Sequence, residues 1–262
     1  MTLRDSSSSE QRFGRRQKPW KHEPEALFET LRDRVGEKGW RDLLDGAGSR
    51  TVRAGERLLR QGADEDFVSL VKSGVLAIDI RRDERDECSR RHMVAFRSSG
   101  DVIGEIAVLS RGVRTASVTA YTDCEVAIVS GERFRSAELQ GKYGAELHAS
   151  TAVRQWEREA LSHSGDKVAG LAWVLLPLLD HAQRRPGAGR GGIELRVRQR
   201  DLADCLGIGT KLLRRFTAGL PFGRMPEGRR ERFLVTDPEG LREAAARFGG
   251  GARRPGEVIR RR

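Results

Sequence analysis

Between Trp40 and Val129 the chain alternates short apolar-rich segments with turn signals. Five of these segments have the pattern of strands: Val68–Val71, Val75–Ile80, His92–Phe96, Ala116–Ala120 and Glu125–Val129. Glycines at positions 55, 62, 74, 100, 104 and 112 separate them at the intervals typical of short antiparallel strands. The pattern predicts a small antiparallel barrel or roll.

The hydrophobic period changes after Glu132. Apolar or small residues then recur three and four positions apart, the spacing of one helix face; they are Val153, Trp156, Ala160, Ser164, Val168, Leu171, Leu175 and Leu178. This stripe either packs on the chain's own barrel or pairs with a second copy across a two-fold seam. We expect Pro177 to kink or end the long helix near its C-terminus.

A second module follows a linker at 184–192 (RRPGAGRGG), which has a proline and four glycines in nine residues. We expect two short helices there, Arg198–Leu206 and Thr210–Thr217, then a β segment at Arg232–Thr236. A last helix should start at Asp237-Pro238, because Asp is a good N-cap and Pro fits the first turn. The predicted organisation is α+β, divided into a disordered basic tail (1–24), a barrel domain (25–140), a helix and hinge (141–183), a helical module (184–248) and a basic C-terminal tail (249–262).

Positive charge is concentrated in that second module and its tail. The 262-residue chain has a formal net charge of +11, and residues 184–262 alone contain 20 basic and 9 acidic residues. A localised positive surface attracts polyanions, because neutralised phosphates release their counterions. The charge distribution therefore indicates a nucleic-acid partner.

Several other classes of protein are disfavoured by composition. No apolar run approaches the ~18 residues that a membrane span needs, and the N-terminus lacks the apolar core of a secretory signal. The three cysteines, Cys88, Cys124 and Cys205, are too scattered for a disulfide framework or a metal site. We therefore expect a cytoplasmic protein with no membrane contact and no metal.

The strongest chemical motif is the segment from Gly104 to Ala116, GEIAVLSRGVRTA. An arginine near free backbone amides is a good receptor for a phosphate diester. The single acid, Glu105, would repel a phosphate but suits a sugar hydroxyl. The segment therefore predicts a site for a sugar phosphate.

This segment resembles the phosphate-binding cassette of the cyclic-nucleotide-binding fold, and flanking motifs such as Gln61-Gly62-Ala63 and Val71-Lys72-Ser73-Gly74 agree with it. The resemblance implies an antiparallel β-roll (a double-stranded β-helix) that binds a cyclic nucleotide, most readily cAMP and possibly cGMP. It also implies that Glu105 binds the ribose hydroxyl, that Arg114 and Thr115 bind the phosphate, and that backbone amides complete the cradle at Gly104, Glu105, Ile106 and Ala107. Ser164, before the run Asp166-Lys167-Val168, would contact the base.

Gln199 to Leu220 has the spacing of a helix-turn-helix, and it resembles the winged helix-turn-helix of Crp/Fnr-type regulators. The resemblance implies double-stranded DNA as a partner, a homodimer joined by the long helix, and possible contact with RNA polymerase. The residues expected at the DNA are Gln199, Thr210, Lys211, Arg214 and Arg215. Gly209-Thr210-Lys211 departs from the Ser-Arg-Glu common in the family, so its usual operator half-site is not expected.

Three alternatives remain at this stage. The five histidines lie far apart in sequence and no nucleophile or P-loop motif occurs, so we expect no enzyme. A haem or redox sensor is a closer rival, although residues 1–87 contain no cysteine for an iron–sulfur cluster. The barrel could also be a ligand-free scaffold for DNA binding, or a nucleotide-binding module that acts through a protein partner.

Overall fold

The computed structural model describes residues 29–81, 90–184, 192–226, 228 and 231–251. The predicted tail at 1–24, most of the linker and most of the C-terminal tail lie outside the described residues. The helices are α1 (Leu31–Leu44), α2 (Glu105–Ser110), α3 (Gly131–Phe134), α4 (Ala137–His163), α5 (Lys167–Gln183), α6 (Gln199–Cys205), α7 (Thr210–Thr217) and α8 (Pro238–Gly251). The strands are β1 (Gly48–Val52), β2 (Arg57–Leu59), β3 (Phe67–Ser73), β4 (Val75–Arg81), β5 (Arg91–Ser98), β6 (Val102–Ile103), β7 (Ser117–Ala120), β8 (Cys124–Ser130), β9 (Ile193–Arg196), β10 (Gly223–Arg224) and β11 (Arg232–Val235).

Strands β1 to β8 form the expected antiparallel roll. One sheet has the order β1-β8-β3-β6 and the other β2-β7-β4-β5. All five predicted strands are present, as β3, β4, β5, β7 and β8. Apolar side chains from both sheets fill the space between them, including Val52, Val71, Leu76, Val118 and Val126. The predicted α+β class and β-roll are confirmed.

The long apolar stripe is interrupted, so the prediction of one continuous helix was wrong. Helix α4 ends at His163, and α5 starts at Lys167. Ser164 has extended backbone (ψ 132°), and the Asp166 carboxylate accepts a hydrogen bond from the Ala169 amide at 2.9 Å. The Ser-Gly-Asp sequence thus supplies a stop and a new N-cap.

Pro177 was also placed wrongly as the end of the long helix. It lies inside α5, which continues to Gln183. The stripe itself packs within its own chain: Leu171, Leu175 and Leu178 are buried, and Val153 packs against the same cluster. The first of the two interpretations of the stripe is therefore correct for these residues.

The C-terminal module is a helix-turn-helix followed by a wing. Helices α6 and α7 match the two predicted helices within one residue, and the sheet β10-β11-β9 forms the wing. The Asp237 carboxylate accepts from the Gly240 amide at 2.9 Å, as expected of the cap of α8. The module packs on the outer face of β4 and β5, and both contribute to one buried cluster, with Met93 and Phe96 from the roll and Leu202 from α6.

Candidate ligand cavity and DNA-facing helix

A cavity of about 540 Å³ lies between the roll, α2 and α4. Its strand wall is apolar and includes Ile78, Ile80 and Val94. The cavity brings together six of the seven residues expected to bind ligand: Gly104, Glu105, Ile106, Ala107, Arg114 and Thr115. Thr115 and Ile106 are exposed there, whereas Glu105 and Arg114 are buried.

Arg114 is held by backbone carbonyl groups at the base of this site. Its side chain is 1% exposed; Nη1 donates to the Gly104 carbonyl at 3.0 Å and Nη2 to the Phe67 carbonyl at 2.7 Å. The guanidinium also lies over the Phe67 ring, 4.7 Å from its centroid. Burial lowers the pKa of Arg114, and the Glu65 carboxylate opposes that shift. The bonds fix the cation without using all five of its N–H groups.

Gly104 is required by this arrangement on two grounds. Its φ is +86°, in the region that favours glycine, and it forms the N-cap of α2. A Cβ at this position would lie 2.5 Å from Arg114 Nη1. The glycine therefore permits both the turn into α2 and the close approach of the arginine.

Glu105 is paired with an arginine that the sequence analysis did not identify. Arg154 on α4 donates to Glu105 Oε1 at 2.9 Å, to Asp101 Oδ1 at 3.0 Å and to the Val102 carbonyl. Glu105 is 4% exposed, so this cation compensates a buried carboxylate. The pair joins positions 49 residues apart. A lone acid inside an apolar cassette signals the need for a cation but not its location.

A second ion pair continues along α4 towards the C-terminal module. Arg97 of β5 donates to Glu157 Oε2 at 2.6 Å, and Trp173 Nε1 of α5 donates to Glu157 Oε1 at 2.8 Å. Burial acts to lower the pKa of Arg97, but Glu157 and Asp101 raise it further, so the net shift is upward. Since Arg154 and Glu157 lie about one turn apart on α4, the helix connects the cassette to α5.

Ser164 lies outside the described wall of the cavity. Its hydroxyl accepts from the Asp166 amide at 3.1 Å and bonds the Asp166 carbonyl at 3.3 Å. The serine thus closes the break between α4 and α5. Other α4 residues line the cavity instead, namely Arg154, Gln155, Glu157, Arg158, Glu159, Ser162 and His163.

Helix α7 presents a cationic face to solvent. Leu213 and Thr217 are buried and anchor the helix, while Thr210, Lys211, Leu212, Arg214 and Arg215 are exposed. None of the described residues forms an ion pair with Lys211, Arg214 or Arg215. The fifth residue expected at the DNA, Gln199, is half-buried at the start of α6. The geometry leaves the basic groups of α7 free to bind phosphates or base edges.

Two searches of the described part of the chain were negative. No helix there is both long and apolar enough to span a membrane. The same residues contain no group of three or more His, Cys, Asp or Glu side chains that could hold a metal ion.

Comparisons with known proteins agree with this architecture. The cyclic nucleotide-binding domain family matches residues 49–138. The cAMP-activated global transcriptional regulator CRP of Escherichia coli is 25% identical over 159 residues, which cover 57% of this chain and 71% of that protein. The Salmonella typhimurium protein of the same name is 24% identical over the same share of both chains.

Solved structures share the fold at lower sequence identity. A CRP/FNR-family regulator of Thermus thermophilus has a TM-score of 0.56 at 19% identity and covers 76% of this chain and 98% of its own. The c-di-GMP responsive regulator CLP of Xanthomonas campestris has a TM-score of 0.52 at 17% identity and covers 76% and 99%. The relatives are regulators of transcription rather than enzymes. With its cyclic nucleotide-binding domain, its regulator relatives and their shared fold, the chain belongs to the Crp/Fnr family of transcriptional regulators.

Proposed function

We propose that the protein is a dimeric DNA-binding regulator whose affinity for DNA is set by a 3′,5′-cyclic purine nucleotide. The observation that carries the proposal is the convergence of Gly104, Glu105, Arg114 and Thr115 at one end of the 540 Å³ cavity. A buried cation and a buried carboxylate side by side suit a ligand with an anionic phosphate next to sugar hydroxyls. The names of the curated relatives favour cAMP as that ligand.

Each group has a distinct part in binding. The N–H groups that Arg114 does not spend on carbonyl groups bind the phosphate oxygens, and the exposed Thr115 hydroxyl adds a donor. Arg154 bonds Oε1 of Glu105, so Oε2 accepts from the ribose hydroxyl. The apolar strand wall, with Ile78 and Val94, packs against the purine face. Burial of the ligand strengthens these polar contacts, because the local dielectric is low.

Helix α4 transmits binding to the DNA-binding module. Arg154 responds at the ligand end, and Glu157 holds Trp173 of α5 about one turn further along. Helix α5 packs with residues of α6 and α8 in one buried cluster. A shift of α4 therefore changes how the helix-turn-helix lies against the roll. Coupling of this kind is typically worth about 1–3 kcal/mol.

Dimerisation through α4 would place two copies of α7 on one DNA. The outward face of α4 carries exposed residues at spacings of four and three, with small side chains that allow close helix approach: Gly141, Ala145, His148 and Ala152. Two recognition helices about 34 Å apart contact successive major grooves. Thr210, Lys211, Arg214 and Arg215 form the DNA-facing surface of each copy.

Calorimetric titration with cAMP and cGMP tests the ligand part of the proposal. We expect saturable binding to the wild-type protein and at least about 10-fold weaker binding to Glu105→Gln, which loses the acceptor charge for the ribose. Glu125→Gln is the matched control, because Glu125 lies on the outside of the roll, where it pairs with Lys72. Absence of binding to a folded, nucleotide-free protein would remove the ligand from the proposal.

One observation favours a second candidate, a DNA-binding protein with a ligand-free roll. Both charged groups of the cassette already have partners within the chain, Arg114 on two carbonyl groups and Glu105 on Arg154. A self-contained cassette of this kind needs no ligand for its stability. Salt-dependent DNA binding that nucleotides leave unchanged would support this candidate.

A further inference from the structure

The cavity has a second polar end, formed by α4 beyond Arg154. Arg158 and Glu159 line it there, both exposed, and none of the described residues pairs with either side chain in an ion pair. At ~1.5 Å rise per residue they lie roughly 6–7 Å beyond Arg154 along the helix. Because Arg154 contacts Glu105, a nucleotide with its ribose on Glu105 directs its base towards this end.

The opposite wall fixes the plane of the base. Ile78 and Ile80 of β4 and Val94 of β5 are apolar and face α4 across the cavity. A purine inserted between them and the helix turns its polar edge towards α4, because that edge has no partner on the apolar wall. Arg158 and Glu159 are thus the charged groups nearest to that edge.

The two purines present different edges to such a pair. Guanine offers the N1–H and N2–H donors beside the O6 acceptor, whereas adenine offers one amino donor beside the N1 acceptor. A carboxylate only accepts and a guanidinium only donates, so together they complement guanine. Against adenine, the carboxylate of Glu159 would face the N1 lone pair. The amide of Gln155 suits adenine better, but it is adjacent to Arg154 and so level with the ribose.

We infer that Arg158 and Glu159 select guanine over adenine, so that the preferred ligand of this cavity is cGMP. The inference rests on the proposed function, since it assigns the base specificity of the same site. It departs from the ligand that the names of the curated relatives favour. The reason is that the α4 wall of this chain carries a carboxylate and a guanidinium at the depth of the base.

Parallel calorimetric titrations with cGMP, cAMP and c-di-GMP test the inference. For the wild-type protein we expect cGMP to bind about 10-fold more tightly than cAMP, the size of discrimination typical of one paired base edge. Glu159→Gln should weaken cGMP and strengthen cAMP, because the amide donates to adenine N1 and opposes the guanine donors. Arg158→Gln should weaken cGMP alone. Glu138→Gln, on the same helix but away from the cavity, is the control.

Opposite changes for two ligands separate base recognition from damage to the fold, because a damaged fold weakens both. Preference for cAMP in the wild-type protein, or an unchanged ratio in Glu159→Gln, would overturn the inference and leave the proposed function standing. Tighter binding of c-di-GMP than of cGMP would overturn the assignment of a cyclic mononucleotide. Failure of all three ligands to bind a folded, nucleotide-free protein would contradict the proposed function itself.

Discussion

The cassette end of the cavity and the outward face of α7 are both rich in charge, but they treat it in opposite ways. In the cassette, Glu105 and Arg154 are buried and compensate each other. On α7, Lys211, Arg214 and Arg215 are exposed and have no ion-pair partner among the described residues. A buried, compensated site rearranges when it binds, whereas an exposed, uncompensated one is ready to bind. Control therefore belongs to the cassette, and affinity for DNA to α7.

Removal of one buried partner should have the largest effect. Arg154→Met leaves both Glu105 and Asp101 without their cation, and loss of one partner from a buried ion pair typically reduces the free energy of unfolding by about 3–5 kcal/mol. Urea unfolding measures the change. Arg158→Met, exposed on the same helix, should change stability by less than about 0.5 kcal/mol. Equal stability of the two variants would show that the cassette does not depend on compensation.

A Cβ at Gly104 should have the next largest effect. Gly104→Ala meets both a φ of +86° and the Arg114 guanidinium, and we expect a loss of about 1–3 kcal/mol with weaker nucleotide binding. Gly48→Ala is the control, because it has open space around its position and no positive φ. Thermal unfolding and nucleotide titration distinguish the two variants. An unaffected Gly104→Ala would mean that Arg114 moves away without consequence.

On the open side, single cations of α7 should affect DNA and nothing else. Arg214→Gln or Arg215→Gln should weaken DNA binding by about 1 kcal/mol or more and, where the arginine contacts a phosphate, reduce the salt slope by ~1. Nucleotide affinity and stability should stay at wild-type values. Fluorescence anisotropy with duplex DNA at several salt concentrations measures both quantities. A variant that also lost nucleotide binding would contradict the division between the two regions.

The smallest expected effect concerns a buried carboxylate that is poorly compensated. Burial raises the pKa of Asp79, although Arg91 and Arg57 oppose the shift, and its Oδ1 has no hydrogen-bond partner. The folded state therefore holds a proton that the unfolded state has lost, and stability falls as the pH rises from the ordinary pKa of Asp towards the raised value. Asp79→Asn should remove this fall. Unfolding experiments from pH 4 to 7 would contradict it if both proteins followed one profile.

Local sequence patterns predicted most of the architecture. Alternating segments gave the strands of the roll, and the spacing of Leu202, Leu206 and Leu213 gave the helix-turn-helix. The stripe from Val153 to Leu178 misled, because its period continues through the Ser-Gly-Asp break. Capping by Asp166 is a short-range signal that outweighs periodicity there.

The site was predictable only as far as it is contiguous. Gly104 to Thr115 forms one segment, so its residues could be assigned together. Arg154, Arg158 and Glu159 come to the cavity on a separate helix, and no local pattern distinguishes them from other charged residues of α4. Ser164 was chosen by its position before Asp166-Lys167-Val168, but the turn takes it out of the cavity wall.

Nucleotide control of DNA binding is tested most directly by DNA affinity with and without saturating cGMP and cAMP, for wild type and Glu105→Gln. We expect a saturating nucleotide to change the wild-type dissociation constant for DNA by about 5- to 150-fold, with cGMP effective at the lower concentration. Glu105→Gln should bind DNA but respond only at much higher nucleotide concentrations. A wild-type affinity for DNA that is the same with and without bound nucleotide would contradict the coupling between the cavity and α7.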